Sequence, residues 1–247
     1  MTFKNSPNKE NKKRIVLLTG LIPSLVVLSL LSTSFPNAEA AQCGNPHCYA
    51  TQSSSQSSLS GEKHTEVATS LTTSTTCPTN SEFITEEGWI VFANGDWVES
   101  GFVDGYIQGN CRTSDHNYYA YSSGGFYQEF DSGAVSVGST ENYEMQDTDH
   151  DKAWDVYINS VNVAHFTLAS ATASYVQEGE ETSYNSSTAP KTSTTSIQVY
   201  TGTPGSWSNL SSGTNPNMQD TTYGLWINNC TPNYNHITAG MGDTASC

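Results

Sequence analysis

The side chains in this chain whose types and spacing suit hydrolytic chemistry are carboxylates on two segments that read as strands. Trp97-Val98-Glu99-Ser100-Gly101-Phe102-Val103-Asp104-Gly105 has glycines where backbones cross closely or turn. Alternation puts Trp97, Glu99, Gly101 and Val103 on one face, and Val98, Ser100, Phe102 and Asp104 on the other. Tyr175-Val176-Gln177-Glu178-Gly179-Glu180-Glu181 closes a second strand, with Val176, Glu178 and Glu180 sharing a face. A lone carboxylate is costly to bury, so it must be paired, protonated or turned to a wet groove. For Glu99 taken alone, an ordinary surface residue is the simpler reading. Two carboxylates from different strands facing one groove are the minimum set for acid–base hydrolysis. Glu99 with Glu178 or Glu180 makes such a set if their strands are neighbours.

Other chemistries find little support. There is no G-x-S-x-G elbow, no H-E-x-x-H and no phosphate loop. The His residues are scattered, and His165 reads as a structural residue. Asp147-Thr-Asp149-His-Asp151 resembles the opening of a calcium loop. It lacks the turn glycine and the closing Glu, whose place is held by Ile158. Cys43-Gly-Asn-Pro-His47-Cys48 has no second half-site at zinc spacing. No cofactor and no metal are therefore expected.

Residues 1–40 read as an export signal: Lys4, Lys9, Lys12, Lys13 and Arg14, then the apolar run Ile15 to Leu31, then Ala38-Glu39-Ala40 as a cleavage site. An uncleaved anchor is the rival, opposed by Pro23 and the cleavage site. The full chain carries a net charge of −15. Cutting after Ala40 leaves 4 basic and 22 acidic residues, a net charge of −18. Four cations cannot build a nucleic-acid surface or a patch for an anionic membrane. Six cysteines, all beyond the cut, read as disulfides of a secreted protein. Locality suggests Cys43–Cys48, Cys77–Cys111 and Cys230–Cys247.

The elements that must position the carboxylates are strands. Phe83 to Phe92 and the Trp97 strand flank Asn94-Gly95, a strong hairpin signal. Tyr118–Tyr121 and Phe126–Phe130 flank Ser-Ser-Gly-Gly, and Ala153–Ile158 and Val161–Phe166 flank Asn159-Ser160. Further strands read at Ala171–Glu180, Ser196–Tyr200 and Tyr223–Ile227. No helical period follows the signal, so the expected fold is an all-β antiparallel sandwich of jelly-roll or concanavalin-like type, stabilised by disulfides. The expected layout is signal 1–40, a Ser/Thr-rich segment 41–76 and a sandwich 77–247. Within it Thr51 to Ser60 reads as a linker, Glu66 to Thr76 as a weak first strand and residues 185–220 as long loops.

The order of these features resembles the glutamic peptidases of the eqolisin type and, more loosely, the neprosin type. Trp89, then Glu99-Ser-Gly-Phe-Val-Asp104, Tyr118-Tyr-Ala-Tyr121, Gly133 to Val137, Trp154 to Phe166 and Ala173-Ser-Tyr-Val-Gln-Glu178 follow the family sequence of strands over Trp89 to Ser183. The resemblance implies a β-sandwich that hydrolyses peptide bonds at acid pH. Glu99 stands where eqolisins have Gln, and Glu178 falls on the last-strand Glu, with Glu180 on the same face. Glu178 or Glu180 would then activate water, protonated Glu99 would polarise the scissile carbonyl, and Trp89, Trp97, Tyr119 and Tyr121 would line the groove. The Tyr-rich strand lacks the family's Glu-Trp, since Ser122 to Gly125 stand there. The resulting expectation is a secreted, monomeric hydrolase with a peptide or polysaccharide substrate. A non-catalytic extracellular module binding carbohydrate or peptide is the alternative, and a two-Glu glycosidase a third reading.

Overall fold

The computed structural model describes residues 47–56, 58–73, 82–183, 187–202, 205–221, 224–232, 234–241 and 247. The chain divides into two units, Met1–Ser34 and Phe35–Cys247, and all described residues belong to the second. The segment 1–40 read as an export signal, Cys43 and Cys77 lie outside the described residues.

Among the described residues sixteen strands form: β1 (Cys48–Ser54), β2 (Leu59–Val67), β3 (Phe83–Val91), β4 (Trp97–Ile107), β5 (Asn110–Cys111), β6 (His116–Ser123), β7 (Phe126–Ala134), β8 (Thr140–Gln146), β9 (Ala153–Ile158), β10 (Val161–Thr167), β11 (Tyr175–Thr182), β12 (Ala189–Gly202), β13 (Gly205–Asn209), β14 (Gly213–Gln219), β15 (Leu225–Asn229) and β16 (His236–Met241). They build two antiparallel sheets that pack as a sandwich. The first runs β14-β1-β11-β3-β4-β6-β7 with β5 on β4. The second runs β10-β9-β8-β2-β12-β16-β15 with β13 on β12. The three predicted hairpins form, and their turns carry the expected left-handed residues: Gly95, Gly124 with Gly125, and Asn159 with Ser160.

The core lies between the sheets. Ile90, Val98, Phe102 and Val176 of the first sheet meet Met145, Trp154, Val156, Ile197 and Val199 of the second. Phe92 stands edge-on to Trp154, with ring centroids 5.2 Å apart. Cys230 and Cys247 are bonded, closing the end of the chain onto β15 and β16. Cys48 and Cys111 are each disulfide-bonded as well.

Two stretches differ from the sequence reading. Thr51 to Ser60 is not a linker: it supplies β1 and the start of β2, one strand for each sheet. Residues 185–220 are not long loops around a Ser196–Tyr200 strand: their described residues carry β12, β13 and β14, with Thr192, Thr194, Ile197 and Val199 buried. Both stretches are rich in Ser, Thr and Asn, which composition assigns to loops. They enter the sandwich because their polar groups find partners there. Gln52 Nε2 donates to the Tyr234 carbonyl at 2.7 Å, and Val176 N–H donates to Ser54 Oγ at 3.1 Å.

Candidate active site

The middle of the first sheet is β11-β3-β4, and its register decides which carboxylates meet. Glu99 lies opposite Trp89, Glu87 opposite both Gly101 and Gly179, and Glu181 opposite Thr85. Glu99, Glu87 and Glu181 therefore run diagonally over three strands on the outer face of the sheet. One oxygen from each lies within 4.8 Å of the others. The flanking glycines leave Glu87 without side-chain neighbours on either side. A Cβ on Gly101 would come within 2.7 Å of Glu87 Cα, and Gly179 has φ +146°, which side-chain-bearing residues rarely adopt.

Each carboxylate has a donor, and Glu181 also meets the Tyr49 hydroxyl. Trp89 Nε1–H donates to Glu99 Oε2 at 2.9 Å. Thr85 Oγ1–H donates to Glu87 Oε1 at 2.6 Å. The His47 ring pairs with Glu181 Oε1. Glu87, Glu99 and Glu181 are 1%, 7% and 7% exposed, so they are largely withdrawn from water. Beside them Trp97 meets Tyr127 at 5.6 Å between ring centroids, and Phe126 and Tyr127 project into solvent.

Burial, then the charges of Glu181 and Glu129, push the Glu99 carboxyl well above its ordinary range, against the opposing bond from Trp89. Burial, then Glu99 and Glu181, push Glu87 up in the same way. His47 is lowered by burial but raised more by its bond to Glu181 and that residue's charge, and ends above its usual value. The face thus favours protons on Glu99 and Glu87, beside the pairing of the His47 ring with Glu181. Three converging carboxylates could also hold a hard cation. Here each already accepts a proton donor or ion pair, which suits proton sharing.

Of the residues singled out from sequence, Glu99, Trp89 and Trp97 lie at this face. Glu178 and Glu180 do not: on β11 they alternate with Glu181 and point between the sheets. Glu178 lies 3.5 Å from His64 of β2, in the opposite sheet, and is 1% exposed. Glu180 is fully buried beside Glu86, whose Oε1 accepts a bond from Thr194 of β12. Neither is placed with Glu99. Tyr119 and Tyr121 are likewise on the inner face, Tyr119 stacked on Phe130 at 4.8 Å and Tyr121 on Phe166 of β10 at 4.2 Å. The register signal that would have found Glu87 was present: a two-strand hairpin closed at Asn94-Gly95 sets Trp89 against Glu99 and brings Glu87 diagonal to it. His47 carried no such signal. Asp147 accepts the N–H groups of Asp151 and Lys152, at 3.1 and 2.8 Å, and closes a turn. Two cavities, of about 500 and 330 Å³, open elsewhere: on the second sheet around Lys63, Asn142 and Glu144, and beside Leu71, Arg112 and Asp115. Neither is lined by the carboxylate trio, which is covered on the outer side of the first sheet.

No protein-family model and no curated protein matches the chain by sequence. The fold has solved counterparts. Scytalido-glutamic peptidase with a peptide-based transition-state analogue superposes with TM-score 0.56 at 10% identity, covering 78% of this chain and 97% of that one. The same peptidase with a transition-state-analogue inhibitor gives 0.52 at 13% identity, over 78% and 97% of the two chains. SCP-B, a member of the eqolisin family of peptidases in complex with the tripeptide Ala-Ile-His, gives 0.51 at 12% identity over 78% and 96%. The chain has the sandwich fold of the glutamic peptidases, at a sequence distance where fold alone is shared.

Proposed function

We propose that this protein hydrolyses peptide bonds in acid at the Glu99–Glu87–Glu181 face. The observation that carries the reading is the convergence of three carboxylate oxygens within 4.8 Å, with Trp89 bonded to Glu99. The fold adds support, since its solved counterparts hold a peptide-based analogue and a tripeptide. Glu181 takes a proton from water, and the resulting hydroxide bonds to the scissile carbonyl carbon. Glu99, protonated, donates to the developing oxyanion. The tetrahedral intermediate collapses, the C–N bond breaks, and the proton held by Glu181 passes to the leaving amine. Glu87, between them, holds a further proton, while burial and the Glu181 charge keep Glu99 from ionising. An extended peptide suits a shallow sheet face, with Trp97, Tyr127 and Phe126 offering apolar contact to its side chains. The Cys230–Cys247 bond suits an oxidising compartment, and we read the protein as secreted and monomeric.

The test is incubation with denatured protein across pH 2 to 7, a range spanning ordinary carboxyl titration, followed by peptide mass spectrometry. New termini appearing in acid and fading toward neutrality are expected. Absence of cleavage in wild-type protein, together with saturable binding of a peptide or oligosaccharide, would leave a binding module in its place. Cleavage of glycans alone would make it a glycosidase.

A further inference from the structure

Between the sheets lies a second cluster that hydrolysis at the outer face does not use. Glu62, His64 and Glu66 alternate along the inner face of β2, and Glu178 reaches them from β11; all are 2% exposed or less. Glu86 and Glu180 are buried nearby, so five carboxyls share the space with one imidazole. Two carboxylate oxygens converge on one ring nitrogen: Glu62 Oε1 is 3.0 Å and Glu178 Oε2 3.5 Å from His64 Nδ1. A single N–H there can serve only one of them. Both Glu178 oxygens and Glu62 Oε2 are buried without a hydrogen-bond partner. Buried charges of this kind are paired or coordinate metals.

We propose that Glu62, His64 Nδ1 and Glu178 form a buried divalent-cation site that staples β2 of one sheet to β11 of the other. Metal–ligand bonds of about 2.1 Å in tetrahedral array set ligand atoms about 3.4 Å apart, near the two separations seen. A cation at that point satisfies both converging oxygens at once. It also fixes the ring proton on Nε2, where Glu66 Oε1 stands 3.2 Å away. A carboxylate facing the far N–H of a ligating His is the usual partner that orients such a ring. Tyr143 stacks on the ring at 5.1 Å and 30°, and Gly88 closes the wall. A Cβ on Gly88 would lie 2.7 Å from His64 Cε1 and 2.9 Å from Glu178 Oε2. One imidazole and carboxylates suit a first-row divalent ion such as zinc, with the fourth position free for water. Since the site is sealed, the ion enters as the sheets close.

The test uses the whole protein purified at neutral pH. Elemental analysis after dialysis against EDTA should find about one divalent ion per chain. Unfolding and refolding in EDTA should lower Tm by about 10 °C, and refolding with zinc should restore it. Refolding with cobalt should give the visible absorption of a low-symmetry N/O site. Glu178→Gln and His64→Gln should lose the ion and the cobalt bands, whereas Glu180→Gln, outside the ligand set, should keep both. If the ligand variants do not fold, the wild-type measurements decide. A metal-free protein that refolds in EDTA to an unchanged Tm and takes up neither zinc nor cobalt would overturn the proposal and leave shared protons as the occupant. Equal loss of the ion in Glu180→Gln would also overturn it.

Discussion

Strand β11 carries Glu178, Glu180 and Glu181 within four positions, yet they belong to two environments. Glu181 joins Glu87 and Glu99 on the outer face, each with a donor or ion pair. Glu178 joins Glu62 and His64 between the sheets, with both of its oxygens lacking a hydrogen-bond partner. Strand β3 repeats the division, Glu87 outward and Glu86 inward. Both groups are nearly inaccessible, so burial does not separate them. What separates them is what each faces: protons and aromatic side chains on one side, a ligand-shaped convergence on a single imidazole on the other. Neighbouring carboxylates on a strand thus enter unrelated surroundings, and parity is the divider.

The largest effect should come from exchanging the two sides. Glu181→Gln should lower kcat/KM by about 10²–10⁴-fold with circular dichroism unchanged, because the group that takes the proton from water is gone. Glu180→Met, an inner-face change of similar volume, should leave hydrolysis intact and Tm equal or higher, since it removes a buried carboxyl with no hydrogen-bond partner. Activity lost in the Met variant and kept in the Gln variant would move the chemistry to the interior.

At Glu99 the effect is smaller and depends on what replaces it. Glu99→Leu should cost about 10²–10³-fold, as no donor remains for the oxyanion. Glu99→Gln should retain much of the activity and carry it to higher pH, because an amide donates at any pH whereas a carboxyl does so only while protonated. A Gln variant as inactive as the Leu variant would point to a covalent carboxylate role instead.

Trp89→Phe should cost about tenfold, the scale of one lost hydrogen bond, because Nε1–H no longer holds the Glu99 carboxyl in position. The Trp89 bond favours the Glu99 carboxylate. Its loss should therefore shift the alkaline limb of the pH–rate profile upward. A downward shift would contradict the assignment of that limb to Glu99.

The last effect is on stability and leaves the rate untouched. Burial, then the Glu66 charge, raises Glu86 from 4.5 to about 8. The folded chain then holds a proton that the unfolded chain releases. Its stabilising contribution is complete below about pH 4.5 and is lost as pH rises to about 8, at about 1.4 kcal/mol per pH unit. Glu86→Gln should flatten that slope in denaturant titrations at several pH values while leaving the acid-side stability close to wild type. An unchanged slope would show that Glu86 is already charged in the sandwich.

Much of the fold was legible because it is local. Alternation, the Asn94-Gly95 and Asn159-Ser160 turns and the Gly124-Gly125 pair act over a few residues, and they specified the hairpins and the all-β class. Glu99, Trp89 and Trp97 were legible for the same reason, since one hairpin fixes their mutual register. The strands of 51–60 and, apart from Ser196–Tyr200, those of 185–220 were not. Their Ser- and Thr-rich composition does not separate a loop from a strand whose hydroxyls find partners across 100 residues or more, as Ser54 does with Val176.

By itself the sequence determined that acidic residues would stand on strands and which neighbours on each strand share a face. Only the tertiary structure decided which face of β11 looks outward. That choice turns on the long-range register of β11 with β1 and β3, and on the packing of the second sheet against one side. A register shift of one residue exchanges every side chain between the faces, so Glu178 and Glu180 could not be told from Glu181 before the sheets were paired.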